Sequence, residues 1–285
     1  PSSKPSICPS GASRTAPNRA GIRGPAGRGR VGRAPAATLP TMTTTTILLL
    51  AAIYLAASFV QGLTGFGMGL IAVPLIALMF GPQTAVGMVL SVGVAVGLIN
   101  FLLHRKHCQY RRVLPLALLS YPFVPLGAYF LESVSADLVM IILGAVIIAL
   151  TLFAWFAQSR LVMVMQTRGV GAGFAAVAGL LLGAFSTSGP PMVAYFYAGD
   201  TDRMRAKANT QLFFASTTAV AIAIHAVAEN VTWWTLAWGL PFIPVIYLAT
   251  HLGVAVSFRV PVARFRVLTD IALIGLGVAL IGGNL

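Results

Sequence analysis

The sequence predicts an all-α integral membrane protein, a polytopic helical bundle made of two inverted repeats. The residues are 58% hydrophobic and only 9% charged, and the mean hydropathy is +0.88. Apolar runs of about 20 residues, the length that crosses a bilayer, recur along the chain. Soluble domains carry about 25% charged residues, and outer-membrane barrels show short alternating segments. An ordinary soluble enzyme and a β-barrel are therefore excluded.

Residues 1–41 are predicted to form a disordered basic extension. They contain no acidic residue and show no apolar periodicity, and seven Lys or Arg residues lie within the first 33 positions. Three explanations stay open: a targeting peptide, a basic arm for anionic lipid or nucleic acid, or sequence upstream of the true start. Met42 favours the last, so a nucleic-acid partner is not expected.

Eight apolar segments follow the extension, and two of them are interrupted. The first is too long for one membrane crossing and is broken by a Gly-rich stretch at 61–69, and the fifth is broken at 186–191, where two prolines end any helix. Each interrupted segment is expected to form a broken-helix hairpin followed by three regular spans. This gives eight to ten helices and two repeats, 42–160 and 161–285. The segments are 47–80, 84–103, 113–131, 136–157, 169–198, 207–228, 233–251 and 267–283.

The charges predict the orientation of the repeats. If each hairpin leaves the membrane on the side where it entered, every Lys and Arg outside the extension lies on one side, whereas Glu132, Asp137 and Glu229 lie on the other. Basic loops face the cytoplasm, so the two halves must have opposite orientations. We therefore expect a multi-pass protein of the cell (inner) membrane with cytoplasmic basic loops.

The two breaks are the candidate substrate site, because broken helices of inverted repeats bind substrate near the midplane. Helix N-termini offer unpaired backbone N–H groups and partial positive charge, so a small anion can bind without Lys or Arg. Hydroxyl and amide groups add further donors. The predicted substrate-binding residues are Gln61, Gly62, Thr64, Gly65, Phe66 and Gly67 in the first break, Ser186, Thr187, Ser188, Gly189 and Pro190 in the second, and Asn209.

Simpler roles compete with substrate binding at several positions. Glycines also allow close helix packing, and we prefer that role for Gly69, Gly87, Gly93 and Gly97. Interhelical hydrogen bonding explains Asn209, together with Asn100 and Gln211, about as well as substrate contact does.

No catalytic residue, metal site or cofactor is predicted. No nucleophile with a nearby base, no paired carboxylates and no metal-ligand cluster fall at midplane depth, which disfavours an intramembrane enzyme. His104, His107 and Cys108 share a loop with several cations, which oppose a metal. His225 with Glu229, and Asp270 with Arg266, lie near span ends, so interfacial or ion-paired roles are preferred over proton relay. The coupling ion is left open.

Two motifs carry a resemblance to a known family. The run from Phe59 to Leu75 and the run from Ser188 to Tyr195 resemble the TauE/SafE sulfite exporter family, and the likeness covers nearly all of 47–283 in motif order and repeat layout. The resemblance implies an inner-membrane permease for a small sulfur-containing anion such as sulfite or an organosulfonate. Phe66, Met68 and the triplet 186–188 depart from the commoner family pattern.

The expected function is translocation of a small anion by alternating access between the hairpins. The expected partners are that anion and the lipid bilayer, and a homo-oligomer is left open. The alternatives are an anion channel of the same fold and a transporter of another small organic anion. A membrane anchor or sensor is disfavoured because the chain has almost no soluble domain.

Overall fold

The computed structural model describes residues 43–65, 67–160, 168–198, 200, 202–257 and 262–284. The expectations for 1–41 and for Phe66 lie outside these residues. All secondary structure in the described residues is helical. The predicted all-α class is thus confirmed.

Twelve α-helices are formed by the described residues. The first six are α1 Thr44–Thr64, α2 Met68–Phe80, α3 Pro82–His104, α4 Tyr110–Ser120, α5 Phe123–Ser133 and α6 Ala136–Arg160. The other six are α7 Arg168–Phe185, α8 Gly189–Ala198, α9 Arg203–Val227, α10 Trp233–Gly239, α11 Ile243–Ser257 and α12 Val262–Gly283.

The helix count exceeds the predicted eight to ten because two segments expected to be regular are also interrupted. Tyr121 and Pro122 separate α4 from α5, and the 3₁₀ turn Leu240–Phe242, which contains Pro241, separates α10 from α11. Proline lacks the N–H that continues the α-helical hydrogen bonds. Both interruptions are tight turns, and 110–133 and 233–257 each remain one stretch of membrane-crossing length.

Six helical stretches among the described residues are long and apolar enough to cross a bilayer. Large apolar side chains such as Leu118 and Leu248 are mostly exposed on the outside of the bundle, where a bilayer would cover them. The chain is therefore a multi-pass membrane protein.

Two pairs of long helices cross antiparallel, namely α3 with α9 and α6 with α12. In the α3–α9 pair, Gly93 faces Thr218 and Gly97 faces Ala215. In the α6–α12 pair, Gly144 faces Gly277, and Trp155 further along α6 donates from Nε1 to Asp270 Oδ2 at 2.7 Å. In both pairs, the residue numbers of one helix rise along the contact while those of the other helix fall.

Glycines allow α1 to pack tightly on α11 and α7 on α5. A Cβ atom at Gly62 would lie 2.2 Å from the carbonyl oxygen of Thr250, and one at Gly183 would lie 2.0 Å from that of Val124. Such distances are far below van der Waals contact, so any larger residue would separate the backbones. Both pairs run parallel. Tyr54 packs against Phe242 two turns before Gly62 meets Thr250, and Gly179 meets Ser120 one turn before Gly183 meets Val124.

The loops gather at two opposite ends of the bundle. At one end Asn230 donates to Glu132 Oε1 at 2.8 Å and Gln83 donates to the Leu131 carbonyl. At the other end Arg112 and Arg205 lie 3.9 and 4.0 Å from the carboxylate of Asp200.

The basic end also holds the loop that contains Cys108. The Cys108 thiol donates to the Ala208 carbonyl at 3.4 Å, and burial raises its pKa. This contact ties the α3–α4 loop to the start of α9.

Candidate functional site

The first break is shaped by two glycines with left-handed backbones. Gly65 has φ 86° and donates its N–H to the Gln61 carbonyl, which ends α1, and Gly67 has φ 114° and precedes α2 without a side-chain cap. Such φ values suit glycine because it has no Cβ. The first-turn N–H groups of α2, at Met68, Gly69 and Leu70, have no acceptor within their helix.

The second break reaches a similar shape with different residues. Ser186 ends α7 with φ 52°, and its N–H donates to the Leu182 carbonyl at 2.9 Å. A left-handed backbone costs a non-glycine residue about 1–2 kcal/mol, so the surrounding packing must hold it. Pro190 and Pro191 occupy the first turn of α8, where a missing N–H is tolerated. Gly189 supplies the backbone N–H at this helix start.

The two breaks lie side by side. A Cβ atom at Gly69 would lie 2.4 Å from the Ser186 carbonyl oxygen and 3.1 Å from Thr187 Cβ, and one at Gly65 would lie 3.6 Å from the Tyr197 hydroxyl. Gly69 thus packs closely, as predicted, and the surface that it packs against is the other break. Glycine at this position is what allows the two hairpins to touch.

A small cavity of about 80 Å³ lies where the breaks meet α3 and α9. A single water needs about 10–15 Å³ on the same scale, so the space admits an ion of a few heavy atoms. Among the described residues, its lining contains no Lys, Arg, His, Asp or Glu side chain. The lining residues are Gln61, Gly67, Met68, Gly69, Val89, Gly93, Val96, Gly97, Leu182, Ser186, Thr187, Ser188, Gly189, Gln211, Phe214 and Thr218.

Comparison with known proteins identifies the family. The family model described as "Sulfite exporter TauE/SafE" matches residues 49–280. The chain belongs to the TauE/SafE family. It is also 29% identical over 230 residues to the "Probable sulfite/organosulfonate exporter TauE" of Cupriavidus necator, which covers 78% of this chain and 89% of that protein. No solved structure matches the chain significantly.

Half of the predicted substrate-binding residues line the cavity of this TauE/SafE protein. Gln61 and Gly67 come from the first break. The second break contributes Ser186, Thr187, Ser188 and Gly189. The side chains of Thr187 and Ser188 are buried. Met68 and Gly69 of the first break also line the cavity but are not among the predicted substrate-binding residues. Contact of the six lining residues with substrate stays a prediction.

Four other predicted residues have structural roles beside the cavity. Gly62 packs against α11, and Gly65 ends α1. The Thr64 hydroxyl donates to the Val60 carbonyl at 2.9 Å, and Pro190 lies buried in the first turn of α8. None of the four lines the cavity, and their contact with substrate stays a prediction.

Asn209 lies at the basic end of the bundle, away from the cavity lining. Its Oδ1 accepts from the Gln109 backbone N–H at 2.8 Å, and its Nδ2 donates to Gln109 Oε1 at 3.2 Å. Asn209 is fully buried and Gln109 is partly exposed, and the pair joins the α3–α4 loop to α9. It favours the interhelical hydrogen-bonding alternative over substrate contact.

The predicted substrate-binding residues do not include the cavity lining that α3 and α9 contribute. Gln211, Phe214 and Thr218 share one face of α9, since they are three and seven residues apart. Gly93 and Gly97, which were assigned to packing alone, both pack on α9 and line the cavity. Gln211 and Thr218, two polar residues on one face of an otherwise apolar span, are the sequence signal that could predict the contribution of α9 to the cavity.

The buried His225 has a hydrogen-bonding role near the second hairpin. Its Nε2 lies 2.9 Å from the Gly183 carbonyl oxygen, and its Nδ1 lies 3.0 Å from Asn230 Nδ2. Because an amide nitrogen donates and a carbonyl accepts, the proton belongs on Nε2. Asn230 also donates to Glu132, so the chain of contacts joins α5, α7 and α9.

Asp270, an ionisable residue within a span, is hydrogen-bonded across to α6. Asp270 accepts from Trp155, and the side chain of its predicted partner Arg266 lies outside the described part of the chain. Within the described residues, no group of three or more His, Cys, Asp or Glu side chains could hold a metal ion.

Proposed function

We propose that the protein carries a small sulfur-containing anion, sulfite or an organosulfonate, across the cell (inner) membrane by alternating access. The observation that carries this proposal is the convergence of both helix breaks on one cavity of about 80 Å³. Membership of the TauE/SafE family and the name of the Cupriavidus necator relative support the choice of anion.

The cavity has the chemistry to bind an anion without a cationic side chain. The N-termini of α2 and α8 both open onto it, and each adds partial positive charge. The first turn of α2 offers several free N–H groups, whereas the first turn of α8 offers that of Gly189, because Pro190 and Pro191 have none. Hydroxyls of Thr187, Ser188 and Thr218 and the amides of Gln61 and Gln211 are available as donors. A tetrahedral or pyramidal oxyanion fits this set because several of its oxygens can accept at once.

The antiparallel helix pairs support an inverted repeat. A two-fold axis that relates antiparallel helices must lie perpendicular to them, and hence in the membrane plane. The α3–α9 and α6–α12 crossings have this geometry. Rocking one repeat against the other would expose the cavity to each side in turn.

The grouping of the loops supports the proposed orientation. Arg112 and Arg205 lie together at one end, and Glu132 and Asn230 lie at the other. By the positive-inside rule the Arg end faces the cytoplasm.

Counterflow in proteoliposomes tests the proposal. Purified full-length protein is reconstituted with unlabelled sulfite inside, and uptake of radiolabelled sulfite is followed with sulfoacetate, taurine, thiosulfate, sulfate or chloride as competitors. We expect saturable accumulation that sulfite and a subset of sulfonates inhibit. Flux that neither saturates nor shows counterflow would instead indicate a channel, and no flux of any of these anions by folded protein would contradict the substrate class.

A further inference from the structure

Four buried side-chain oxygens on α1 and α11 have no hydrogen-bond partner in the described residues. They belong to Tyr54, Ser58 and Gln61 on α1 and to Thr250 on α11, and are called here the polar row. Tyr54 and Ser58 are 0% exposed and Thr250 is 6% exposed. Positions 54, 58 and 61 share one helix face, and Thr250 meets α1 at Gly62.

Several other buried helical hydroxyls in the described residues are satisfied by their own backbone. Ser91 donates to the Gly87 carbonyl at 2.7 Å, Thr151 to that of Ile147 at 2.7 Å, and Thr217 to that of Phe213 at 2.8 Å. The hydroxyls of Ser58 and Thr250 make no such bond. Because a buried hydroxyl without a partner is costly, these two groups are available to bind a ligand from outside their helices.

Packing alone does not require polar residues at these positions. Val124 meets Gly183 through its carbonyl oxygen just as Thr250 meets Gly62, so Val124 occupies the equivalent place in the α5–α7 contact. Counted back from the helix ends at Thr64 and Phe185, the three α1 positions correspond to apolar ones in α7, namely Ala175, Gly179 and Leu182. The α5–α7 contact therefore forms with apolar residues at the four positions that correspond to the polar row.

The oxygens of the polar row suit a small monovalent cation. They are neutral, hard donors without a carboxylate, whereas Ca²⁺ and Mg²⁺ sites use carboxylates. Ser58 and Gln61 lie in the last two turns of α1, where the helix dipole is negative. Half-helix C-terminal ends hold Na⁺ in transporters with broken helices.

Gln61 connects the polar row to the cavity. It lines the cavity, and its Oε1 belongs to the row. A cation bound beside Gln61 would supply the positive charge that the cavity lining lacks. We propose that Tyr54, Ser58, Gln61 and Thr250 form a Na⁺ site whose occupancy is coupled to anion binding in the cavity; the coupling, though not the site itself, rests on the proposed function.

The test of the site measures thermal unfolding without any substrate. Purified full-length protein is heated in NaCl, KCl or choline chloride at constant pH and ionic strength. We expect Na⁺ to raise Tm by about 2–4 °C over choline, as binding a few-fold above Kd does, and K⁺ to have little effect. Ser58→Ala and the isosteric Thr250→Val should remove the Na⁺ effect. The matched controls Ser91→Ala and Thr217→Val, which lose only bonds to their own helices, should keep it.

Equal Tm values in the three salts, from protein that is monodisperse, would overturn the Na⁺ site. Loss of the Na⁺ effect in the controls as well would also overturn it, because the effect would then not depend on the polar row.

A transport assay separates failure of the site from failure of the proposed function. If Na⁺ raises Tm but no anion is carried, the site stands and the proposed function fails. If sulfite counterflow occurs and a pH gradient drives net sulfite uptake, with no Na⁺ effect on Tm or flux, the function stands and the Na⁺ site is refuted.

Discussion

Replacement of Gly69 by alanine should impair transport, because Gly69 is where the two helix breaks touch. The added Cβ would lie 2.4 Å from the Ser186 carbonyl oxygen. Ordinary contact begins near 3.4 Å, so the backbones must separate by about 1 Å. Overpacking of this kind costs typically about 1–3 kcal/mol. If this strain falls on the sulfite-bound state, sulfite binding is weakened roughly 5- to 150-fold.

Sulfite counterflow at several concentrations measures this effect. We expect Gly69→Ala to show a KM raised within that range, or no detectable transport, with normal membrane insertion. Gly173→Ala is the matched control, since a Cβ there meets no atom within 4 Å. It adds the same methyl group to a helix of the second hairpin and should transport normally. Wild-type KM and maximal rate in Gly69→Ala would refute the proposal that the breaks must stay in contact at the site.

Three further predictions address the site, the orientation and stability. Thr187→Val should raise the KM for sulfite roughly 10-fold or more through loss of a hydrogen bond to a charged ligand, whereas Thr217→Val, which loses a bond to its own helix, should not; equal KM values in the two variants would contradict a role for the Thr187 hydroxyl. For the orientation, Ser135→Cys and Lys106→Cys are made separately in a cysteine-free protein, since both positions are exposed. An impermeant maleimide added to intact cells should label the cysteine at 135 but not the one at 106. The opposite labelling pattern would mean that the orientation is reversed. Asn230→Ala should lower Tm by several degrees because it leaves Glu132 and the buried His225 ring without their amide partner; an unchanged Tm would show that these contacts add nothing to stability.

The helix breaks could be predicted because their causes are local. Gly65 and Gly67 permit left-handed backbone, and Pro190 and Pro191 cannot continue a helix. The interruption at Pro122 has a local cause too, but an apolar run on both sides of it concealed the turn. Hydropathy averages over such a run and does not register one missing N–H.

The assignment of individual residues to the cavity could not be predicted with the same success. Gly62 and Gly67 belong to one motif, yet Gly62 packs against α11 and Gly67 lines the cavity. Asn209 and Gln211 are two residues apart on α9, and only Gln211 reaches the cavity. A helix turns by about 100° per residue, so the neighbouring helices decide which of two nearby polar groups faces the cavity.

The sequence by itself determined the membrane class, the two breaks and the separation of basic from acidic loops, because composition, proline and glycine act within a few residues. Only the tertiary structure decided that the breaks touch at Gly69 and that α3 and α9 complete the cavity. It also decided that Ser58 and Thr250, far apart in the chain, lie in one contact with unpartnered hydroxyls. These features depend on which helices meet and on which faces, and no local rule contains that information.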